Sequence, residues 1–393
     1  MGKAKAKAKK KTTGSRAKRD RRRRAATEAA AVPSAEDMPA LDSLKDVPAF
    51  VDLPIDDAQR AAFDEICAAA EAPEQMCLGC VVRLDRGFPL VVTAGATFRA
   101  EHAVVFAKAR GEAEVLLPAV GDRVAVRVAP GHDMGVIEAV LPRRTTFERW
   151  RGRARGEHQV LCSNVDAVLI VQALGAGEVL LDRIARSLVL ARDCGAEPVV
   201  VLTKADRCST DELEDDLDRV RRLVGEDVRV IVTSSAEGRG LDEVRAAVPP
   251  ATCAMILGES GAGKSTLLNA LLGHDALATG GVRERDDQGR HTTVARVMVA
   301  LPGEAGVIAD APGLRSLPLV GHERGLARAF PEIVEAAHAC RFGDCTHTHE
   351  PGCAVREAEA AGEIDPLRLE TFLSLASSMR VSAQSLDPDV HLD

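Results

Sequence analysis

Gly258-Glu259-Ser260-Gly261-Ala262-Gly263-Lys264-Ser265 fits the pattern G-x-x-x-x-G-K-[ST] in full, and its flanks restrict what the chain can fold into. An apolar run at 254–257 reads as a buried strand leading into it, and 266–272 reads as the helix that follows. Glycines at 258, 261 and 263 let the backbone turn so that its N–H groups face an anion, and the start of the helix adds its dipole. Lys264 is placed to reach the β- and γ-phosphates of a nucleoside triphosphate, and the Ser265 hydroxyl to hold Mg²⁺. Thr266 completes the first helical turn. The bland alternative, a glycine-rich turn with no ligand, is disfavoured by the complete match and by both flanks.

This loop does not choose a base. Thr203-Lys204-Ala205-Asp206, after the apolar run 199–202, resembles the guanine-reading N-K-x-D element of GTPases, with Thr in place of Asn. A carboxylate placed like Asp206 accepts hydrogen bonds from guanine N1–H and its amino group, a donor pair that adenine lacks. Taken alone, the tetrapeptide is equally a loop with a solvated Lys and Asp. Ser234-Ser235-Ala236, after the run 228–232, matches the base-supporting S-A-x element. Asp310-Ala311-Pro312-Gly313 follows 307–309 and looks like D-x-P-G, in which the Asp holds Mg²⁺ through water and the Gly313 N–H senses the γ-phosphate. His291-Thr292-Thr293 lies where GTPases place the switch threonine that ligands Mg²⁺; either Thr292 or Thr293 fits, with Thr293 favoured. Separately, the last two segments are also a type I turn and a polar surface patch.

The linear order is therefore guanine element, S-A-x, phosphate loop, switch threonine, D-x-P-G, a circular permutation of the ordinary GTPase. Joining old termini and opening the chain elsewhere leaves every strand neighbour in place. The segment after Asp310 then runs straight into the C-terminal part, so nucleotide state can reposition that part. Leu314 stands where small GTPases carry a water-orienting Gln, which predicts slow intrinsic hydrolysis. His291 is the candidate to orient water once a partner orders the switch; the alternative is a surface histidine.

Apolar runs at 165–171, 198–202, 228–232, 253–257, 295–299 and 307–309, most bracketed by amphipathic helical segments, predict a doubly wound α/β domain over 146–320. Upstream, short β-rich runs at 80–84, 90–93, 104–107, 115–117, 123–128 and 135–140 predict a small β-barrel of OB type over 73–145. Residues 1–72 read as a poorly ordered tail and linker with one amphipathic helix over 56–70, and 321–393 as helical. Met1 to Arg24 carries 13 Lys and Arg against the single acid Asp20, leaving 38 basic and 58 acidic residues in an acidic body. Such an arm meets nucleic-acid phosphates by releasing counterions; its other reading is a solvated tail.

Within the helical C-terminal part, Cys340-x4-Cys345-x-His347-x5-Cys353 offers three thiolates and one imidazole, a set that suits tetrahedral Zn²⁺ with no open position. His338 or His349 are the alternative fourth ligands. Cys77 and Cys80, at the head of an apolar run and without a second pair nearby, read as buried barrel thiols. Ten cysteines in 393 residues do not make a disulfide scaffold and point to a reducing compartment, the cytoplasm. No run of eighteen apolar residues occurs, so no membrane partner is expected.

A β-barrel, a permuted GTPase and this Cys/His knot together resemble the ribosome small subunit-dependent GTPase A family. The most specific features are G-E-S-G-A-G-K-S-T at 258–266, G-R-H-T-T at 289–293, D-A-P-G-L-R at 310–315 and the knot at 340–353, within a likeness covering 76–380. The resemblance implies a monomer that cycles between GTP and GDP, binds the small ribosomal subunit and its rRNA late in assembly, hydrolyses GTP when that subunit stimulates it, and leaves. It also implies that barrel and zinc module face the rRNA. The basic arm lies outside the likeness. Two rival readings are a metabolic P-loop ATPase or kinase, and a non-catalytic RNA-binding scaffold with a vestigial loop.

Overall fold

The computed structural model describes residues 41, 44–85, 88–103, 117–151, 157–175, 177–276, 296–310 and 318–386. Leu44–Asp393 forms one unit, and Met1–Ser43 falls outside it.

Strands β1 (Met76–Asp85), β2 (Phe88–Thr93), β3 (Thr97–His102), β4 (Arg123–Arg127) and β5 (Met134–Val140) make the barrel. Their order is β1-β2-β3-β5-β4, and β1 pairs back onto β4 to close it. One pair, β3 with β5, runs parallel while the rest are antiparallel, as an OB-type barrel requires. The period-2 alternation of a strand explains the burial. Val81 and Val91 point inward with Ala100, Val124, Val126 and Ile137, whereas Cys80, Val82, Leu90 and Val92 pack outward into the core of the α/β domain.

Two expected barrel runs, 104–107 and 115–117, lie outside the described residues except Leu117, which is in no strand. Strand β3 was not expected. Its sequence, TFRAEH, is polar at four of six positions, and pairing on both sides recruits it despite weak apolar content.

A β-bulge between Val81 and Arg83 bends β1, so that its far end pairs with the edge strand of the second sheet. Barrel and α/β sheet are thereby one continuous hydrogen-bonded surface. A hairpin of β6 (Thr146–Arg151) and β7 (Glu157–Ser163) follows, which the sequence did not signal. Then come β8 (Ala167–Ala173), α-helix α2 (Leu181–Cys194), β9 (Glu197–Thr203), α3 (Thr210–Val224), β10 (Arg229–Val232), α4 (Leu241–Ala246), β11 (Cys253–Gly258), α5 (Lys264–Leu272), β12 (Arg296–Ala300) and β13 (Val307–Asp310). Helix α1, Asp57–Ala69, lies before the barrel.

The six strands are ordered β10-β9-β8-β11-β13-β12, all parallel except β12. Alternate side chains bury on opposite faces. Val168, Ile170, Val200 and Leu202 meet α2 and α3, while Leu169, Val171, Val199, Val201 and Ile256 meet Leu267, Leu268 and Leu271 of α5. A doubly wound domain results, because strands apolar on both faces need helices on both.

Residues 44–72, expected as part of a poorly ordered linker, are placed against this frame. Asp56 and Gln59 form a capping box at the head of α1. The fully buried Gln59 amide then donates to Pro142 O (2.9 Å) and Asn164 Oδ1 (3.0 Å), tying α1 to the barrel exit and the α/β entrance. Beside it, buried Asp122 accepts two 2.7 Å bonds from Arg143, and buried Arg123 donates to the carbonyls of Pro54 and Gly121. Every charge at this joint has partners, without which its burial would be prohibitive. A linker expected to be poorly ordered is held because the Pro54 carbonyl and the Gln59 amide pair with buried groups of the barrel and of the α/β entrance.

The C-terminal part is helical as expected: α6 (Glu323–Ala329), α7 (Pro331–Ala337), α8 (Ala354–Ala360) and α9 (Pro366–Leu386). Helix α6 lies so close to α2 that a β-carbon on Gly325 would come 2.4 Å from Val189 O. Among the described residues no helix is long and apolar enough to cross a membrane.

Candidate functional site

Parallel pairing puts the C-terminal ends of β8, β9, β10, β11 and β13 on one edge of the sheet, and loops leaving those ends are where an open α/β sheet binds ligands. Gly258 ends β11, where a β-carbon would lie 2.4 Å from Val171 O of β8, so the loop starts tightly against its neighbour. At the other end of the loop, Gly263 (φ +92°) precedes α5. Ser265 and Thr266 lie in the first turn of α5, whose leading N–H groups have no partner within the helix. The Lys264 ammonium donates to Gly258 O (2.8 Å) and Glu259 O (2.6 Å), placing the positive charge in the curve of the loop. Ser260 and Gly261 form its exposed crest, and Ala262 is buried beneath.

The tetrapeptide from Thr203 is fastened to that loop. Lys204 adopts a left-handed conformation (φ +61°), which carries its Nζ to within 2.6 Å of Gly261 O. The buried Thr203 hydroxyl donates to Ala262 O at 2.6 Å. A short hydroxyl therefore makes a bond to the loop where the motif in other GTPases has the longer Asn. Ala205 is buried, and Asp206 projects into solvent with its Oδ1 accepting from Ser234 Oγ at 2.7 Å. That hydroxyl holds the Asp206 carboxyl below its usual range. Ser235 is half-buried and Ala236 exposed in the turn after β10.

Asp310 ends β13 in register with Ile256 of β11 and Val297 of β12, one strand over from the start of the phosphate loop. Described residues of four separated segments thus meet at one sheet edge. His291, Thr292, Thr293 and Gly313 lie outside the described residues. One participant escaped the sequence reading: Arg183, in the first turn of α2, forms an ion pair with Glu259 inside the phosphate loop. No periodicity or motif marks Arg183.

The second cluster is at the C-terminal side. Ligand atoms of Cys340, Cys345, His347 and Cys353 all lie within 4.8 Å of one another. His347 Nδ1 is 3.6 Å from Cys340 Sγ and 3.5 Å from Cys353 Sγ, and these two sulfurs are 4.0 Å apart. A tetrahedral ion with bonds of roughly 2.0–2.3 Å sets its donors roughly 3.5–3.8 Å apart, so the set fits a divalent metal. Of the three candidate histidines, His347 is the one in the group, while exposed His349 bonds Thr348 instead.

The surroundings support the ligands. Burial pushes the Cys340 thiol up, but N–H groups of Val355 and Ala354 at the head of α8, with Cys345 and Cys353, more than offset it and hold the thiol below its ordinary value. Glu350 ties the intervening loop by accepting from the Thr346 and Thr348 N–H groups (2.9 and 3.0 Å), and Arg356 donates to His347 O (2.7 Å). Cys80, by contrast, is a buried barrel thiol pushed up to about 11 by burial, as expected of an inert cysteine.

Comparison with known proteins agrees with this geometry. Residues 140–320 match the profile of the RsgA GTPase family. A Streptomyces coelicolor protein named small ribosomal subunit biogenesis GTPase RsgA is 42% identical over 316 residues, covering 80% of this chain and 84% of that protein. A protein of the same name from Opitutus terrae is 40% identical over 350 residues, covering 85% and 90%. Among solved structures, YjeQ from Thermotoga maritima superposes with a TM-score of 0.59 at 26% identity, covering 78% of this chain and 99% of that one. YloQ, described as a circularly permuted GTPase, shares the fold with a TM-score of 0.56 at 21% identity, covering 78% and 96%. Identity at this level across four-fifths or more of both chains means a shared fold and core, and the chain accordingly belongs to the RsgA GTPase family and is a GTPase.

Proposed function

We propose that the chain hydrolyses GTP to GDP and phosphate when the small ribosomal subunit stimulates it, and so serves late maturation of that subunit as a monomer in the cytoplasm. The observation that carries the guanine part is the pair of bonds Thr203 Oγ1 to Ala262 O and Lys204 Nζ to Gly261 O, which fix the base-reading carboxylate relative to the phosphate loop. A kinase or ATPase reading offers no reason for that tether. The subunit part is supported by the name that relatives 40–42% identical carry.

In this reading the backbone of Gly258, Glu259, Ser260, Gly261, Ala262 and Gly263 and the α5 N-terminus hold the phosphates, while Lys264 places its charge on the β- and γ-oxygens. Asp206 selects guanine, with Ser234, Ser235 and Ala236 supporting the base. Ser265, Thr293 and Asp310 would hold Mg²⁺. The ion would neutralise charge on the β- and γ-phosphates. Gly313 senses the γ-phosphate, and the switch after Asp310 passes its state to α6, which is latched to α2 by Asp193 between His322 (2.8 Å) and Arg324. Cys340, Cys345, His347 and Cys353 hold a structural Zn²⁺, the choice favoured by a sulfur-rich tetrahedral donor set. Barrel and zinc module are the rRNA-facing parts.

GTP turnover should be slow for the protein alone, rise at least tenfold with purified small subunits, and not respond to large subunits. Equal rates in all three arms would refute the proposal. With small subunits present, His291→Ala should lower turnover roughly 10²-fold if that imidazole orients the attacking water. Unchanged stimulated turnover would remove His291 from the mechanism.

A further inference from the structure

The phosphate loop contains an acid. Glu259 occupies its second position, half-buried, in a segment otherwise arranged for an anion by Lys264, Lys204 and the α5 N-terminus. A carboxylate carried by this loop adds negative charge to a segment that would receive a triphosphate, and like charges repel measurably at short range even in a wet cleft. Its ion-pair partner comes from another element: Arg183 reaches across from α2, and the two side chains are 26% and 33% exposed, so water screens them only in part. Arg183 is neither part of the loop nor of any motif.

We propose that Arg183 is a positioning residue for GTP binding: by neutralising and holding Glu259, it lets the loop accept the full charge of a nucleoside triphosphate. This rests on the reading of 258–265 as the phosphate site. Loss of Arg183 leaves Glu259 as an uncompensated negative charge beside the phosphates. The penalty then grows with the number of phosphates, which separates a charge role from a packing role.

The test is nucleotide affinity of the full chain with Mg²⁺, measured by calorimetry for GTP, GDP and guanosine at low and high salt. Arg183→Ala should weaken GTP about tenfold, GDP about threefold and guanosine not at all, with both losses shrinking as salt rises. Arg183→Lys should retain most of the affinity. Glu259→Gln should bind GTP roughly twofold to threefold tighter, and the double variant Arg183→Ala/Glu259→Gln should recover most of what Arg183→Ala loses. If Arg183→Ala does not fold, Arg183→Gln, which keeps a long polar side chain, carries the same comparison. Equal losses for GTP, GDP and guanosine, or no rescue in the double variant, would overturn the proposal while leaving the nucleotide site standing. If the unsubstituted protein bound no GTP, the nucleotide reading would fall and this proposal with it.

Discussion

In the Asp206→Asn variant, GTP is expected to bind about 10²- to 10⁴-fold more weakly, and xanthosine triphosphate to become the better ligand. In the proposed site the carboxylate accepts from two guanine donors, and hydrogen bonds to a charged group contribute roughly 1.5–3 kcal/mol each. An amide keeps one acceptor for N1–H but turns an N–H toward the guanine amino group, setting donor against donor. Xanthine has a carbonyl at that position, so the same amide donates to it. Ser234, whose hydroxyl now donates to Asp206 Oδ1 at 2.7 Å, serves an amide oxygen equally well, so the loop geometry should survive the change. Competition binding with GTP, xanthosine triphosphate and ATP reads the outcome. A loss under threefold, or ATP competing as well as GTP in the unsubstituted protein, would show that Asp206 does not read the base.

Removal of the metal proposed at the Cys/His cluster should have the next largest effect, and a different one. Chelation, or Cys353→Ser, is expected to abolish a one-to-one zinc content and to destabilise the chain by about 3 kcal/mol or more, since ligand binding and local folding are linked. For a chain of this size that lowers the melting temperature by roughly 4 °C or more. The effect should be local. Cys353 is buried with Val355, Ala358 and Ile364, so α8 and the loop from Cys340 lose their anchor. Helix α9 keeps independent ties, because Arg368 bonds Glu332 and Leu223 O, and Arg222 bonds Asp365. GTP affinity should therefore change less than twofold, while stimulation by the small subunit is lost. Hydrogen exchange gives the check: protection lost throughout the α/β domain, or retained across 340–360 after chelation, would contradict a local structural metal.

How much of this was legible beforehand differs between the two halves. Strands of the α/β domain were readable almost to the residue, as 198–202 against Glu197–Thr203 and 253–257 against Cys253–Gly258 illustrate. They are buried on both faces, so an unbroken apolar run reports them directly. The barrel was harder. A strand with one wet face carries polar residues, and β3, with Glu101 and His102 exposed, is strand because β2 and β5 pair with it on either side. Arg123 shows the limit from another direction: an arginine reads as surface, yet this one is fully buried because Pro54, Gly121 and Cys80 supply acceptors from distant positions.

The order of motifs, the chemistry each suggests and the spacing of the Cys/His cluster follow from residue type and short spacing, which are local properties that the chain carries folded or not. Convergence is another matter. Thr203 against Ala262, Arg183 against Glu259 and Gln59 against Asn164 join positions dozens of residues apart. No periodicity encodes such pairs. Only packing of the sheet and its helices decides which carbonyl lies beside a hydroxyl and which arginine an acid meets, because those contacts exist once the whole core has closed around them.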